Sequence, residues 1–238
     1  MDWKKRRKSI RQDYLNAYST KEAFSYGEYP DVIVSKPVAA KRAYYEDIAN
    51  AVSVSQNDAI LDFGSGTGTL SSVFVDQFQI PQKRITAVDP SQPMLCILNE
   101  RFPKIRTECE YIDLPESRRL FKKSSFDLVV SRYAANGLAD PIQGFQNIYR
   151  WIKPGGHVVI IEGMFPADGW FGKWQQFVHT LPCAANQSRA LFPYLLEKAK
   201  FSVKSVNWMA ELNALIDDPE KKEVKKYLVV AKKPRNAT

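Results

Sequence analysis

The stretch ILDFGSGTGTL, residues 60–70, constrains the fold of this chain more than any other segment. A short apolar run stops at Asp62, and Thr69 then opens a helical pattern. Between them stand three glycines at alternate positions, Gly64, Gly66 and Gly68. Glycine allows a tight turn whose backbone comes close to a ligand, and the N–H groups of a helix start attract an anion or a hydrogen-bond acceptor. The segment predicts a strand, a ligand-binding turn and a helix.

A second strand with an acidic end follows this unit. Residues 84–89 read RITAVD, and Asp89 lies about 25 residues after Gly64, near the ~20-residue spacing of an acid that holds a ribose. Two cofactors make these demands, NAD(P) and S-adenosylmethionine. The dinucleotide fingerprint requires G-x-G-x-x-G, whereas Gly68 falls one position too early for it. The glycine pattern therefore favours S-adenosylmethionine.

Four segments resemble the motifs of the class I S-adenosylmethionine-dependent methyltransferases. The likeness is to their small-molecule branch, of which the ubiquinone-biosynthesis methyltransferases are typical. The segments are LDFGSGTG (61–68), AVDPS (87–91) with Met94 after it, SSFDLVVS (124–131) and WIKPGGHVVIIE (151–162). They occur in the family's order, and the resemblance covers about residues 40–162.

Strand and helix patterns alternate along the chain, which predicts βαβ crossovers and a parallel sheet. The resemblance implies a Rossmann-like, three-layer α/β/α fold with a seven-stranded, mostly parallel sheet and an antiparallel last strand. It also implies a glycine where Lys200 stands. We expect an N-terminal basic and aromatic arm or lid over residues 1–37 and a methyltransferase domain over 38–238, with an aromatic cap at 163–188. Expected strands cover 59–63, 84–89, 106–111, 126–131, 157–162, 201–208 and 225–231; expected helices cover 38–54, 70–78, 93–101, 142–151 and 190–199.

The charge of the chain is concentrated at its ends. The formal net charge is +8, of which residues 1–11 carry about +5 and residues 221–238 about +6, leaving the body near −3. Few aromatic residues interleave with these basic runs, so we read them as solvated and do not expect a nucleic-acid partner. Three scattered cysteines and the absence of a long apolar run predict a cytoplasmic protein without a membrane span. A homodimer is left open.

The resemblance assigns roles at the cofactor site. The glycine turn with Ser65 would face the methionine end, and Asp62 would anchor its ammonium or else cap the turn. Asp89 would accept both ribose hydroxyls, and Glu110 would face the adenine amino group or else lie in solvent. The predicted cofactor-binding residues are Asp62, Gly64, Ser65, Gly66, Gly68, Asp89, Pro90, Met94, Glu110, Tyr111 and Ser131.

The sequence indicates fewer residues that would bind or activate the methyl acceptor. His179 is the candidate general base, since it titrates near neutrality within the expected cap, although a structural histidine is the alternative. Arg132 would neutralise an acidic group of the substrate or pair on the surface. Tyr133 is a further candidate beside it. The expected acceptor pocket contains Tyr26, Tyr29, Phe165, Trp170 and Trp174.

These observations predict methyl transfer from S-adenosylmethionine, giving S-adenosylhomocysteine, to an O, N or C atom of a small molecule. Two alternatives stay open: an RNA or protein methyltransferase that uses the basic ends, and a cofactor-binding protein without catalysis. Ser131-Arg132-Tyr133-Ala134 after the fourth strand differs from the motifs used for planar amine nitrogens. We find no carboxylate cluster for a divalent metal and expect none to be required.

Overall fold

A seven-stranded sheet is the centre of the fold in the computed structural model, which describes residues 3–18, 37–164, 180–184, 188–215 and 225–235. The strands are β1 (Ile60–Phe63), β2 (Ile85–Val88), β3 (Arg106–Glu108), β4 (Phe126–Arg132), β5 (Ile152–Gly163), β6 (Ser202–Trp208) and β7 (Lys226–Lys232). Their order is β3-β2-β1-β4-β5-β7-β6. Strands β1 to β5 pair in parallel, and β7 is antiparallel to both neighbours. The predicted fold class is confirmed.

Helices cover both faces of the sheet. They are α1 (Trp3–Ala17), α2 (Pro37–Ala51), α3 (Thr69–Asp76), α4 (Gln92–Arg101), α5 (Pro141–Trp151), α6 (Leu191–Lys198) and the short α7 (Ala210–Ala214). Ile60 packs in a core with α2, α3 and α4, while Leu61 packs in the opposite core with α5 and α6. Successive residues of a strand point to opposite faces, which is why the central strands are apolar throughout. Because β1, β2, β4 and β5 pair in parallel, their carboxyl ends lie along one edge of the sheet.

Some element bounds differ from the sequence-based expectation. β3 stops at Glu108, so Glu110 and Tyr111 lie in the loop that follows. β5 begins at Ile152, which pairs with Phe126 before a register irregularity. Gly155, within this irregular part of β5, has a left-handed backbone with φ 84°. Helix α7 was not expected; it packs on α2, where Asp47 accepts the backbone N–H groups of Glu211 and Leu212 at 3.2 and 3.0 Å.

Lys200 occupies the left-handed region, with φ 73°. It follows α6, whose end is closed by hydrogen bonds from Lys200 N–H to Glu197 O and from Phe201 N–H to Leu196 O, at 2.9 and 3.0 Å. Paired bonds of this kind close a helix through a left-handed residue, which is usually glycine. The backbone therefore keeps the conformation that the family resemblance assigns to a glycine, although a lysine stands there.

The basic ends are less solvated than their composition suggests. In α1, Arg7 pairs with Asp140 at 2.8 Å, and the guanidinium of Arg11 donates to both the carboxylate and the carbonyl oxygen of Asp113. Near the other end, Lys226 and Lys233 are buried. The expectation of solvated charge is wrong for Arg11, Lys226 and Lys233, whereas the side chain of Arg7 stays 42% exposed. Across the described ranges, no helix combines the length and apolarity needed to cross a membrane.

Candidate active site

The glycine turn joins β1 to α3 in a conformation that few other residues adopt. Gly64, Gly66 and Gly68 have φ values of 65°, 53° and 86°. A Cβ on Gly64 would lie 2.0 Å from the Cβ of Ala134, in the loop after β4. A Cβ on Gly66 would meet only the sulfur of Met94, at 3.6 Å. All three positions therefore favour glycine because their backbone is left-handed. At Gly64 a side chain would in addition clash with Ala134.

Asp89 connects the end of β2 to this turn. Its Oδ2 accepts the N–H of Gly66 at 2.9 Å, and its Oδ1 accepts the N–H of Ser91 at 2.8 Å. Each carboxylate oxygen keeps a second lone pair for another donor. The side chain is buried, and burial raises its pKa to about 6 against the opposing effect of the two N–H groups.

Asp62 lies beneath the turn at the end of β1. Its Oδ2 accepts the hydroxyl of Ser71 at 2.7 Å, whereas its buried Oδ1 has no hydrogen-bond partner among the described residues. Burial raises the pKa of Asp62 to about 7; the hydroxyl of Ser71 and the charge of Arg132 oppose the increase. A buried carboxylate oxygen without a donor costs about 1–3 kcal/mol, so this position suits a cation.

Three further oxygens near the turn share this property. Ser65 Oγ, Thr67 Oγ1 and Ser131 Oγ are buried and have no partner in the part of the chain that the structure describes. Ser131 belongs to β4, two positions before Tyr133. Buried polar atoms are almost always hydrogen-bonded in native proteins. Four such atoms around one glycine turn, with Asp62 Oδ1 included, therefore indicate a polar ligand, and they suit the amino-acid end of S-adenosylmethionine.

An open cleft of about 450 Å³, including space continuous with solvent, lies beside the turn. Its lining includes four predicted cofactor residues, Gly64, Pro90, Glu110 and Tyr111. The other predicted cofactor residues do not line it, and Met94 is buried; they are Asp62, Ser65, Gly66, Gly68, Asp89, Met94 and Ser131.

Helix α1 forms one wall of the cleft through Arg11 and Tyr14. Arg11 Nε lies 3.2 Å from Asp113 Oδ1, and Tyr111 donates its hydroxyl to the carbonyl of Arg11 at 2.8 Å. Asp113 is buried and also accepts the N–H of Asp140 at 2.9 Å. The helix is therefore held over the cleft by an ion pair that the sequence pattern did not indicate.

Arg132, the buried last residue of β4, forms a cluster with buried Tyr44 and partly buried Tyr133. Arg132 Nε donates to the hydroxyl of Tyr44 on α2 at 2.9 Å, and the two phenol oxygens of Tyr44 and Tyr133 are 3.3 Å apart. The guanidinium carbon lies 4.6 Å from the centre of the Tyr133 ring, and Lys226 Nζ lies 5.3 Å from it. The alternative that Arg132 pairs on the surface is wrong. Tyr133 has φ 54°, a strained value of the kind that clusters at functional sites.

Several predicted residues lie outside the described ranges. His179 and the expected pocket residues Tyr26, Tyr29, Phe165, Trp170 and Trp174 are among them, together with most of the expected cap. Those assignments stay predictions. Within the described residues, no group of three or more His, Cys, Asp or Glu side chains is arranged to hold a metal ion.

Sequence reasoning missed Glu162, the last buried acid at the carboxyl edge. Its Oε1 accepts the N–H of Asn136 at 3.2 Å, and its buried Oε2 has no partner in the described chain. Burial raises its pKa to about 8, opposed by the N–H groups of Asn136 and Ala135. The signal was present in the sequence, because Glu162 follows the apolar run VVII as Asp62 follows its own strand residues.

Comparison with known proteins supports the methyltransferase resemblance. Residues 61–158 match a family model described as a methyltransferase domain. The malonyl-[acyl-carrier protein] O-methyltransferase of Marinomonas sp. is 31% identical over 153 residues, which are 62% of this chain and 53% of that protein. The demethylmenaquinone methyltransferase of Chlorobaculum tepidum is 30% identical over 160 residues, which are 66% and 61%. The chain thus spans somewhat more than half the length of each relative.

Among solved structures, the fold matches a methyltransferase bound to the Trm112 activator of Haloferax volcanii. The TM-score is 0.66 at 19% identity, and the match covers 90% of this chain and 98% of that one. At this identity the match concerns the fold alone. Over residues 61–158 the chain is thus similar to a methyltransferase domain.

Proposed function

We propose that this protein transfers the methyl group of S-adenosylmethionine to a small-molecule acceptor and releases S-adenosylhomocysteine. The observation that carries the proposal is a set of buried oxygens around the glycine turn that lack partners among the described residues. They are Asp62 Oδ1, Ser65 Oγ, Thr67 Oγ1 and Ser131 Oγ. An ammonium and a carboxylate next to such groups would satisfy them, and the cofactor carries both on its methionine end.

We assign the remaining cofactor contacts by the same chemistry. The free lone pairs of Asp89 suit the two ribose hydroxyls, and the cleft beside Pro90, Glu110 and Tyr111 suits the adenine ring. Pro90 and the aliphatic parts of the lining supply apolar contact, while Glu110 supplies a hydrogen-bond acceptor for an amino group. When bound there, S-adenosylmethionine supplies an electrophilic methyl group on a positively charged sulfur.

The protein's own contribution is alignment and exclusion of water. Methyl transfer requires the acceptor atom to lie in line with the methyl carbon, and correct placement can lower the barrier by about 7–11 kcal/mol. Helix α1 covers the cleft through the Arg11–Asp113 ion pair. The cluster of Arg132, Tyr44 and Tyr133 lies at the end of β4, where we expect the acceptor to bind. Its guanidinium and phenol groups favour an acceptor that carries oxygen atoms.

The curated relatives are named for malonyl-[acyl-carrier protein] and demethylmenaquinone, and we propose an acceptor of metabolite size for this chain as well. The cytoplasmic location and a homodimer stay predictions. Nucleic acid is the weaker alternative as acceptor, because Arg7, Arg11 and Lys233 make intramolecular contacts and are to that extent less available to phosphates.

The test is methyl transfer with a labelled donor. Purified protein is incubated with methyl-labelled S-adenosylmethionine and a small-molecule cell extract, and released S-adenosylhomocysteine is measured beside products heavier by one methylene. We expect release above that of an Asp89→Ala control. Cofactor binding without release, in metabolite, RNA and protein fractions alike, would favour the binding-protein alternative. Release with RNA or protein alone would overturn the small-molecule assignment.

A further inference from the structure

Glu162 is the second-last residue of β5. One oxygen of its carboxylate accepts a hydrogen bond, and the other has no partner among the described residues. Oε1 accepts the N–H of Asn136 at 3.2 Å. Oε2 is buried and has no hydrogen-bond partner in the described part of the chain. The residue is 1% exposed. An acid in this state is costly for a purely structural role, because a neutral residue of similar shape would avoid the unpaired oxygen.

The strand register places Glu162 on the same face of the sheet as Ser131, two residues beyond the partner of Ser131. Ser131 of β4 pairs with Ile160 of β5, and residues 160 and 162 of one strand project to the same face. Ser131 Oγ and Glu162 Oε2 are therefore on one face, at the carboxyl ends of neighbouring parallel strands. Each is buried and without a partner among the described residues. A hydroxyl and a carboxylate placed in this way can bind one polar group between them.

The turn after β4 both lines the cleft and contacts Glu162, which is not itself a lining residue. Ala134 and Gly137 line the cleft, while the N–H of Asn136 between them holds Oε1. Tyr133 N–H also donates to the carbonyl of Ile161 at 3.0 Å. The same short segment therefore forms the cleft wall and fixes the orientation of the carboxylate behind it.

From this geometry we propose that Glu162 is the general base of the methyl transfer, with Oε2 accepting the proton that the acceptor loses. The proposal rests on the proposed methyltransferase function and deepens it. The acceptor's O, N or C atom forms a bond to the methyl carbon, and the carbon–sulfur bond breaks with its electron pair left on sulfur. The acceptor proton moves to Oε2 and later leaves to solvent.

The charged surroundings suit this role. Burial raises the pKa of Glu162 to about 8, and Lys226 on β7 opposes the increase together with the backbone N–H groups. Cys183 and Tyr227 also face the carboxylate; burial raises the pKa of each, that of Cys183 to about 12, so both stay neutral at neutral pH. A base whose pKa lies near the working pH is the most effective. Glu162 is thus a second candidate base, beside His179, which lies outside the described residues.

The test compares Glu162→Gln with wild type in the S-adenosylhomocysteine release assay. The amide keeps an acceptor oxygen for the N–H of Asn136 but cannot take a proton. We expect release to fall by about 10²–10⁴-fold, with the Kd for S-adenosylhomocysteine changed less than about threefold. Wild-type activity should rise with pH up to about 8, and this rise should disappear in the variant. Asp47→Asn is the matched control, since Asp47 is another buried carboxylate that accepts backbone N–H groups.

Two outcomes overturn the proposal. The first is a Glu162→Gln protein that releases product within about threefold of wild type. The second is a wild-type rate that stays constant between pH 6 and about 9, a result that does not depend on any variant being folded. If the amide variant does not fold, Glu162→Asp should lose activity to an intermediate extent, because the carboxylate retracts by one methylene. Absence of release by wild type with every extract would instead refute the proposed function itself, and the base assignment with it.

Discussion

The carboxylate of Asp89 accepts the backbone N–H of Gly66 at 2.9 Å, so the end of β2 is hydrogen-bonded to the glycine turn that follows β1. This contact closes the turn over an acid that is only 2% exposed. One residue therefore shapes the cofactor turn and, in the proposed function, also binds the ribose.

We expect Asp89→Asn to weaken S-adenosylhomocysteine binding by about 10–100-fold, because hydrogen bonds to a charged group contribute about 1.5–3 kcal/mol. The amide has one acceptor oxygen where the carboxylate has two, so the side chain can no longer accept the N–H groups of Gly66 and Ser91 on separate oxygens. Isothermal titration calorimetry measures the change. Asp76→Asn is the control, because Asp76 pairs with Lys41 at the surface. Equal affinities in wild type and Asp89→Asn would refute the ribose assignment.

Cofactor affinity should depend on pH through Asp62. Its pKa is raised to about 7, so below that value the carboxyl is largely protonated and cannot pair with an ammonium. Affinity is therefore expected to rise between pH 5.5 and about 7.5, and then to level off, with a smaller contribution from Asp89, whose pKa is about 6. Binding at pH 7 should release protons, because pairing favours the ionised form.

The measurement is calorimetry in two buffers of different ionisation enthalpy, which counts the protons released. In Asp62→Asn the part of the pH dependence centred near 7 should be absent. Proton uptake, or an unchanged pH profile in that variant, would show that Asp62 does not bind the ammonium.

Substitution at the glycine turn should follow the space available. Gly64→Ala combines a left-handed backbone with a Cβ 2.0 Å from that of Ala134, so we expect a loss of about 2–5 kcal/mol in the free energy of unfolding. Gly66→Ala has the conformational penalty alone, about 1–2 kcal/mol. Urea unfolding gives both values. Adding Ala134→Gly to Gly64→Ala should restore part of the stability, and a failure to do so would exclude the clash as the cause.

Lys200→Gly should stabilise the protein by up to about 1 kcal/mol. The left-handed backbone at φ 73° costs about 1–2 kcal/mol for a residue with a Cβ, and glycine removes this cost. The greater conformational freedom of glycine in the unfolded chain offsets part of the stabilisation. Lys198→Gly, inside α6, is the matched control and should destabilise by about 1 kcal/mol. Thermal unfolding measures both changes. If both variants are destabilised to the same extent, the left-handed backbone at Lys200 does not cost stability.

Arg11→Ala should loosen α1 from the cleft. The substitution leaves the buried Asp113 without its cationic partner, and we expect faster amide exchange in α1 together with faster dissociation of S-adenosylhomocysteine. Stopped-flow fluorescence and hydrogen exchange measure the two effects. Arg42→Ala removes an exposed ion pair with Glu46 within α2 and should change neither rate. If Arg11→Ala also leaves both rates unchanged, α1 does not control access to the cleft.

Local pattern was sufficient for much of the fold. Strands β1, β2 and β4 follow from apolar runs, and the turn between β1 and α3 follows from glycines that no other residue replaces without strain. The position of Asp62 and Asp89 at one edge follows from parallel pairing, because parallel strands end together. These features depend on neighbouring residues or on topology alone, so the amino-acid sequence by itself determined them.

Contacts between distant segments required the tertiary structure. Arg11 and Asp113 are 102 positions apart, and neither charge is unusual in its own segment. The basic run of α1 reads as solvated until folding buries Asp113 beneath it. Glu162 likewise stands as an ordinary acid after an apolar strand; only packing of the turn at Ala135–Gly137 holds one of its oxygens and leaves the other buried without a donor. Sequence therefore determined the glycine turn and the two acids beside it, whereas the burial and pairing of charges, which set their pKa values, were decided by the fold.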